Sequence, residues 1–465
     1  MARYIAFIAL FIIITVSQAF CDAVDYGRTH AIIVGALCRK DRDIAPFSAE
    51  NRKDLEIAEA LKARGVPDDH MTVLTDAGAT SEAIRTAIEK RAAAAGPGST
   101  LIFYFAGRGV LTASGHTFLA GYDTMNGKEE KTAVDVGDIE AILKRCFKGR
   151  RVILLADCSY SGALISVAQA LCRKGIDGIC LTSSSSASPA AESQTFSQSL
   201  LDGLWGEPLF DHDGDGNISL QELSDETATA MKYRERQKSG RFFFKAQGPL
   251  VISPVRDSAV EAGEGPQGDG GKAGASKKGA GSGNAGNSGN AAREPRFGAP
   301  AGPYRIGDYV CARHQNKRLP ARIVNFRGGE YTLQFCISSK KLEEKQGKES
   351  ISEITFITWK PGDRVKALWK GAPFDGVIVK VEDGFHWITY RGLAPFWNEW
   401  VGYERIREVN GRKFREVSVK DGGEWYPAAV LAERDGKSFI HYTGYSCNWD
   451  EWVGPERIRQ NQPAR

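Results

Sequence analysis

The sequence predicts a multidomain protein in which an α/β domain with a parallel sheet precedes several small all-β barrels. Three observations support this fold class. Short apolar runs alternate with helical patterns between residues 28 and 255, which is the order of elements in a parallel sheet covered by helices on both faces. A stretch rich in Gly, Ala, Ser and Asn at 256–300 predicts a flexible linker. An aromatic-rich segment with an internal repeat follows it.

Residues 1–19 have the composition of a cleavable signal peptide. Arg3 provides the positive charge, Tyr4–Val16 the apolar segment, and Ser17-Gln18-Ala19 the small-x-small cleavage pattern. The apolar run is shorter than the ~20 residues that a transmembrane helix needs, and no later stretch is long and apolar enough to span a bilayer. We therefore predict export to the periplasm or the extracellular space, with no integral membrane span.

Composition excludes few classes of function. The chain has 465 residues, with 61 Lys and Arg against 57 Asp and Glu, and this near balance neither implies nor excludes an acidic partner. Nine scattered cysteines lack the spacing of a zinc site and are too sparse for a disulfide scaffold.

The elements of the α/β domain follow in order from the apolar pattern. Thr80 is placed to cap the second helix. Buried strands are predicted at 30–36 and 71–75, from Leu101, from Val152, and at 179–182; helices are predicted at 49–64, after Thr80 with Ile84, Ala87, Ile88 and Ala92 on one face, and at 139–146 and 163–172.

Two of these strands end in turns that match a known pattern. One ends in Tyr-Phe-Ala-Gly-Arg-Gly at 104–109, and another in Asp-Cys-Ser-Tyr-Ser-Gly at 157–162. Both stretches resemble the catalytic core of the caspase and metacaspase-like cysteine peptidases, in which a histidine in the first turn is the general base and a cysteine in the second is the nucleophile. In this sequence Arg108 and Ser159 stand at those positions. The resemblance implies a caspase-like domain at 28–255 with a degenerate dyad.

Loss of both catalytic groups predicts a protein without peptidase activity. A serine hydroxyl needs an adjacent base, and the guanidinium of Arg108 does not accept a proton. Cys158 stands one residue too early, since neighbouring side chains of an extended segment point to opposite sides. His116 in the next loop is the candidate for a displaced base. We predict a pseudo-peptidase; the alternative is an active caspase-family endopeptidase or a serine-based hydrolase that uses Ser159 or another catalytic group.

Asp157, at the start of the second turn, has two interpretations. By resemblance it stands where metacaspases place an acidic residue of the specificity pocket for basic side chains. Alternatively it caps the helix that begins after the turn. We also expect that Arg108 fills the vacated cleft and pairs with Asp157.

Residues 211–222, Asp-His-Asp-Gly-Asp-Gly-Asn-Ile-Ser-Leu-Gln-Glu, match the twelve-residue EF-hand loop at each diagnostic position. Calcium needs many oxygen ligands at this spacing, so calcium is the predicted cofactor; the alternative is a solvated acidic turn. Gly206 and Pro208 interrupt the entering helix, whereas an exiting helix is predicted at 220–236. By resemblance to some bacterial caspase-like proteins, the loop is an insert within the first domain. The predicted ligands are Asp211, Asp213, Asp215, Asn217, Ser219 and Glu222.

The C-terminal segment contains an internal repeat. Trp-Asn-Glu-Trp-Val-Gly at 397–402 recurs as Trp-Asp-Glu-Trp-Val-Gly at 449–454, an offset of 52 residues (449 − 397) that also relates Tyr390 to Tyr442. A more divergent unit starts at Gly307. Each unit reads as several short strands with polar turns, which predicts small five-stranded barrels. Their predicted bounds are 304–358, 359–409 and 412–460.

The last unit resembles the Tudor, agenet and chromo-barrel family through Trp-Tyr-Pro-Ala at 425–428 and the motif at 449–454. Family members often bind methylated lysine or arginine in an aromatic cage, through cation–π attraction. The alternative is that most of these aromatics are barrel core and that the barrels only space or dock. With export predicted, histone tails and nucleic acid are not expected ligands, and the partner is a peptide or protein of unknown identity. The cage candidates are Tyr426, Tyr442, Tyr445 and Trp449.

These observations together predict an exported pseudo-peptidase with a calcium-binding loop that acts as a binding or scaffolding protein through its barrels. A further interpretation makes the calcium loop a sensor that controls how the first domain docks on the barrels.

Overall fold

The computed structural model describes residues 22–41, 52–184, 194–244, 249–256, 303–314, 317–335, 342–369, 371–445 and 447–460. The signal peptide predicted at 1–19 lies outside these residues, as does the linker predicted at 256–300 except for residue 256. Across the described ranges, no helix is long and apolar enough to cross a membrane.

The α/β region contains the predicted alternation of strands and helices, with several short strands added. Its helices are α1 Asp54–Ala63, α2 Ser81–Ala94, α3 Glu129–Thr132, α4 Val136–Cys146, α5 Leu164–Cys172, α6 Thr195–Leu204 and α7 Leu220–Glu235. Its strands are β1 Asp22–Ala23, β2 Thr29–Gly35, β3 Met71–Thr75, β4 Thr100–Ala106, β5 Arg108–Leu111, β6 Thr117–Ala120, β7 Val134–Asp135, β8 Arg151–Asp157, β9 Asp177–Thr182, β10 Asn217–Ser219, β11 Gly240–Phe242 and β12 Leu250–Pro254.

The central sheet is mixed rather than wholly parallel. Its strand order is β11-β9-β8-β4-β2-β3, and the strands from β9 to β3 are parallel, as predicted. The edge strand β11 instead pairs antiparallel with β9. The connection from β9 to β11 contains α6, β10 and α7, rather than the single crossover helix that joins parallel neighbours.

Helices cover both faces of the sheet, as the alternating pattern predicts. Residues of α1, α6 and α7 form one buried cluster, and residues of α2, α4 and α5 form the other. The predicted cap of α2 is present, because Thr80 Oγ1 accepts a hydrogen bond from the Ala83 N–H (3.2 Å). The first helix begins at Asp54 rather than at residue 49; residues 49–51 of the predicted helix lie outside the described residues.

Three antiparallel sheets follow, each with the fourth, third, second, first and fifth strands of its unit in that spatial order. The first unit contains β13 Tyr309–His314, β14 Lys317–Arg327, β15 Glu330–Phe335, β16 Leu342–Gln346 and β17 Ile351–Glu353. The second contains β18 Arg364–Trp369, β19 Ala372–Glu382, β20 Phe385–Tyr390, β21 Glu399–Val401, β22 Ile406–Val409 and the additional β23 Arg412–Lys413. The third contains β24 Arg415–Asp421, β25 Glu424–Arg434, β26 Lys437–Tyr442, β27 Glu451–Val453 and β28 Ile458–Gln460.

The second strand of each unit bends, which makes the three sheets barrel-like. A bulge interrupts its pairing after Ile323, Ile378 and Val430 respectively, and bulges let a long strand curl into a small barrel. The divergent first unit also shares its entry turn with the second. Asp308 accepts a hydrogen bond from the Arg305 N–H (2.7 Å), as Asp363 does from that of Lys360 (2.8 Å). We refer to these units as the first, second and third barrels.

Candidate functional site

The turns that carry Arg108 and Ser159 lie against each other. Because β4 and β8 are parallel neighbours, their C-terminal ends meet at one edge of the sheet. The Gly107 N–H donates to the Asp157 carbonyl oxygen (3.2 Å). A Cβ at Gly109 would lie 1.7 Å from the Ser159 carbonyl oxygen, so only glycine fits this close approach. The structure thus brings the two dyad positions together.

Neither candidate replacement for the dyad is suitably placed. Cys158 is fully buried, and burial raises the pKa of its thiol far above the ordinary value, which suppresses the reactive thiolate. The His116 ring is exposed, and its Nδ1 lies 3.1 Å from Asp135 Oδ2. His116 precedes the Thr117–Leu111 pair of the β5–β6 hairpin, which is about 10 Å along the strand from Arg108.

Asp157 is only 1% exposed and bonds to the start of α6. Its Oδ2 accepts hydrogen bonds from the Ser197 hydroxyl (2.6 Å) and the Ser197 N–H (3.2 Å). Burial raises the pKa of Asp157 to about 6, although these hydrogen bonds lower it. Asp157 therefore binds an N-terminal amide of α6 and does not cap the helix after its own turn. The expected ion pair with Arg108 does not form, because Arg108 is exposed and Asp157 points into the core.

The acidic loop places three predicted ligands together. Carboxylate oxygens of Asp211, Asp213 and Asp215 lie within 4.8 Å of one another. Asp211 accepts hydrogen bonds from the N–H groups of Gly214 (2.8 Å) and Gly216 (3.1 Å), which fix the turn. Burial and the neighbouring carboxylates raise the pKa of Asp213. Such clustering of like charges favours a bound cation.

Glu222 does not share that cluster in the structure. Its Oε1 accepts from the His212 N–H (2.8 Å) and its Oε2 from the Ser219 N–H (2.8 Å). The Glu222 N–H in turn donates to Ser219 Oγ, which completes a capping box at the start of α7. The interrupted entering helix is confirmed, since α6 ends at Leu204. In place of a second loop, β12 pairs with β10 at Ile218.

The four cage candidates form one aromatic cluster in the third barrel. Neighbouring ring centroids lie 5.8–6.4 Å apart, with planes crossing at 64–89°. Tyr442 is only 4% exposed, whereas Tyr445 is 45% exposed. Tyr426 and Trp449 are half-buried and pack on the barrel core. The cluster is therefore core at one end and open to a ligand at the other.

A hydrogen-bonded Tyr–Glu–Arg network supports the rings. The tyrosine hydroxyl donates to a glutamate oxygen, at 2.8 Å in the second barrel and 3.0 Å in the third, and the arginine donates to both oxygens of that glutamate at 2.7–3.0 Å. Burial and the adjacent carboxylate raise the pKa of both tyrosines. Sequence reasoning missed this network, although its members recur at the 52-residue offset: Tyr390, Glu399 and Arg405, then Tyr442, Glu451 and Arg457.

The second barrel has its own aromatic cluster, with a different composition. Its ring centroids lie 5.1–6.2 Å apart and its planes cross at 74–83°. Leu393 stands where the third barrel has Tyr445 (445 − 393 = 52). Beside this cluster, the Phe396 ring lies against Gly115 of the α/β domain, 3.0 Å from where a Cβ would be. The members of the cluster are Trp369, Phe374, Tyr390 and Trp397.

Helix α7, which leaves the acidic loop, is also the helix that contacts the barrels. Glu226 Oε1 lies 2.8 Å from His212 Nε2, and Glu226 Oε2 forms an ion pair with Arg322 of β14 (2.6 Å); the latter is a charge contact without hydrogen-bond geometry. Tyr233 stacks on Tyr309 of the first barrel, with centroids 5.3 Å apart. Loop, helix and barrel are thus in direct contact.

Comparison with known proteins finds a matching family for the third barrel. Residues 412–460 match the Tudor-knot family, described as the RNA binding activity-knot of a chromodomain. The chromatin modification-related protein EAF3 of Kluyveromyces lactis is 33% identical over 57 residues, which are 12% of this chain and 16% of that protein. The third barrel is thus similar to chromodomain-like modules, and the chain spans only a small part of this relative.

Two solved structures resemble larger parts of the chain. The caspase-1 structure from Spodoptera frugiperda covers 52% of this chain and 95% of its own, at 13% identity and a TM-score of 0.32. The four MBT repeats of Drosophila melanogaster Sfmbt, in complex with a methyl-lysine peptide, cover 33% of this chain and 63% of their own, at 9% identity and a TM-score of 0.13. Both TM-scores are too low to establish a shared fold.

Proposed function

We propose that the protein is a non-enzymatic binding protein whose third barrel captures a cationic side chain, with methylated lysine or arginine as its chemical class. The four-ring cluster with one open side carries this proposal. A cation over such rings is attracted by about 0.5–2 kcal/mol per favourable contact. The Tudor-knot match of the same residues supports a binding function, as does the chromatin-related relative.

The charges around the cluster suit a cation as well. Asp421 and Glu451 line a cavity together with Tyr426, Tyr442 and Trp449. Glu451 is neutralised by Arg457, which donates hydrogen bonds to both of its oxygens. Asp421 is 44% exposed and lies 3.4 Å from the same guanidinium, so it retains access to a ligand. Its carboxylate adds electrostatic attraction for an ammonium group in the cavity.

The test uses one exposed ring and its counterpart in the second barrel. Tyr445→Ala removes the most exposed member of the cluster, and Leu393→Ala changes the equivalent position, which is 40% exposed. Isothermal titration calorimetry with unmodified and mono-, di- and trimethyl-lysine peptides should show that Tyr445→Ala weakens binding by about tenfold or more, with Leu393→Ala unchanged. Equal affinity for all four peptides, or equal loss in both variants, would refute the cage.

The α/β domain is proposed to be a pseudo-peptidase. Support comes from the arginine at the base position and from the buried thiol of Cys158. Purified protein should not cleave peptides with Arg, Lys or Asp before the scissile bond, with or without calcium. Calcium-dependent cleavage that disappears in Ser159→Ala would favour the active-hydrolase alternative instead. Restoring both Arg108→His and Ser159→Cys is expected to act as a unit, with neither single change giving activity.

The acidic loop is proposed to bind calcium. The clustered oxygens of Asp211, Asp213 and Asp215 fit a hard cation, and Asn217 and Ser219 follow at the remaining loop positions. Glu222 would have to leave its bonds with His212 and Ser219 to become a ligand, which predicts weak affinity, on the order of 10⁻⁴–10⁻³ M as in extracellular modules. Such a range suits the export that we propose from residues 1–19. Secretion of a fusion that carries only those residues would test the export.

A further inference from the structure

One cavity of about 410 Å³ beside the cage is lined by two barrels. Tyr426, Tyr442 and Trp449 come from the third barrel, whereas Arg313 and Arg318 come from the first. Strand β14, which carries Arg318, packs against the turn Cys447–Trp449. The side of the cage that lines this cavity therefore has a basic rim that the third barrel does not itself provide.

In the part of the chain that the structure describes, the two arginines of this rim have no carboxylate partner. They face each other across the β13–β14 hairpin, and like charges directly opposite destabilise a strand pair. Among the described residues, no ion pair engages either side chain, while nearby arginines are paired: Arg322 with Glu226, Arg405 with Glu399 and Arg457 with Glu451. An unpaired arginine pair at the rim of a cavity is an arrangement that an anionic ligand would stabilise.

Contacts further along strand β14 hold the arginine pair in place. Arg322, four residues after Arg318 on β14, is anchored on Glu226 of α7, and its guanidinium lies 5.6 Å from the centre of the Tyr309 ring. The hairpin that carries the arginine pair is thus fixed by contacts on both the α/β domain and the third barrel. Such support lets the two side chains hold a defined position relative to the cage.

We propose that the cage and the arginine pair form one composite site for a peptide segment that carries a methylated lysine or arginine and, a few residues away, an acidic residue. The cage half rests on the proposed function. The acidic half rests on Arg313 and Arg318, whose guanidinium groups can bind a carboxylate through paired hydrogen bonds. The exposed carboxylate of Asp421 disfavours an anion next to the cage, so the acidic residue of the ligand is placed at the arginine rim.

RNA is the other ligand with anionic groups, and the geometry favours it less. Base stacking needs an open ring face. Neighbouring rings of the cage instead meet edge to face at 64–89°, so each ring face is partly occupied by the next ring. The exposed carboxylate of Asp421 also lines the cavity and repels a continuous phosphate backbone, whereas the single acidic residue of a peptide can stay at the arginine rim. A peptide with separated positive and negative charges matches both halves of the site.

The test uses the full chain and a set of trimethyl-lysine peptides in which a single Glu is moved through the positions flanking the modified residue. At the best position, Glu should tighten binding about five- to tenfold relative to Gln. Arg318→Glu should remove this preference and transfer it to a peptide with Lys at that position. Arg327→Glu, an exposed position on the same strand, is the matched control and should bind as the wild type does.

Three outcomes would overturn the inference. If trimethyl-lysine peptides bind equally whatever their flanking residue, the cage stands and the arginine half is refuted. If none of the trimethyl-lysine peptides binds, the proposed function itself fails, and the composite site fails with it. If a single-stranded RNA oligonucleotide binds and Arg318→Glu abolishes its binding, the rim is a phosphate contact and not a peptide contact.

Discussion

Arg322→Leu tests whether α7 and the first barrel are docked in solution as they are in the structure. The Arg322 and Glu226 side chains are 9% and 10% exposed, and their charged atoms lie 2.6 Å apart. Leucine fills part of the space of the arginine but carries no charge. Glu226 then stays buried with His212 Nε2, 2.8 Å from its other oxygen, as its remaining partner.

The expected loss of stability follows from the burial of this ion pair. Removing one member of a buried ion pair costs about 3–5 kcal/mol when the other stays buried. His212 reduces the penalty, so we expect about 2–3 kcal/mol for Arg322→Leu. Glu226→Leu also removes the partner of His212. The double variant leaves no uncompensated charge at the interface, and its loss should fall short of the sum of the single losses by about 1–3 kcal/mol.

Hydrogen exchange measured by mass spectrometry is the assay, because it reports local opening free energies. Peptides from α7 and β14 should exchange roughly 30- to 150-fold faster in Arg322→Leu, since each 1.4 kcal/mol is a factor of ten. Arg327→Leu, exposed on the same strand, should leave both elements unchanged. Single effects that add to within about 0.5 kcal/mol, or unchanged exchange in α7, would show that the two surfaces are not docked in solution.

Three further predictions concern single groups. Because the pKa of Asp157 is raised to about 6, the folded state binds more protons than the unfolded state between pH 4 and 6, and the wild type loses stability as pH rises through that window. Asp157→Asn has no such loss, so its free energy of unfolding in urea should rise relative to that of the wild type by up to about 3 kcal/mol. Glu399→Gln should destabilise the second barrel more than Glu451→Gln destabilises the third, since the two glutamate side chains are 0% and 9% exposed. Hydrogen exchange of the two barrels would measure this difference. Calcium at about ten times its Kd should stabilise the α/β domain by about 1.4 kcal/mol, and thermal melts of Glu222→Gln should require more calcium for the same shift.

Local patterns were sufficient for the elements that depend on neighbouring residues. The predicted strand at 71–75 is observed with those bounds, and Thr80 caps α2 through an amide three residues away. The exiting helix of the acidic loop runs from Leu220 to Glu235, one residue shorter than predicted. Apolar periodicity and capping chemistry are both read within a few residues, so sequence alone contains this information.

Contacts between distant segments could not be predicted in the same way. The partner of Asp157 is Ser197, 40 residues later, and no local pattern links a strand end to the start of a remote helix. Glu226 is one of several acidic residues on α7, and its pairing with Arg322 depends on how the domain meets the first barrel. The antiparallel direction of β11 likewise follows from the two helices before it, and not from its own three residues.

The second and third barrels share a supporting network but differ in what surrounds them. Both hold a tyrosine by the same glutamate and arginine, but the second barrel lies against the α/β domain: Phe396 contacts Gly115, and Lys238 pairs with Glu382 (2.9 Å) and Asp383 (2.8 Å).

Burial raises the pKa of Tyr160, next to the degenerate dyad. One cavity near it is lined both by Gly162 and Ala163, which follow the dyad turn, and by Phe396 and Trp400 of the second barrel. The second barrel thus has its aromatic cluster beside the surface of the α/β domain, and it carries Leu393 where the third barrel has the exposed ring of Tyr445. The aromatic cluster of the third barrel instead lines a cavity with Arg313 and Arg318 of the first. Contact of the second barrel with the α/β domain, and the ligand recognition that we propose for the third, would account for the difference between two units that otherwise share their supporting network.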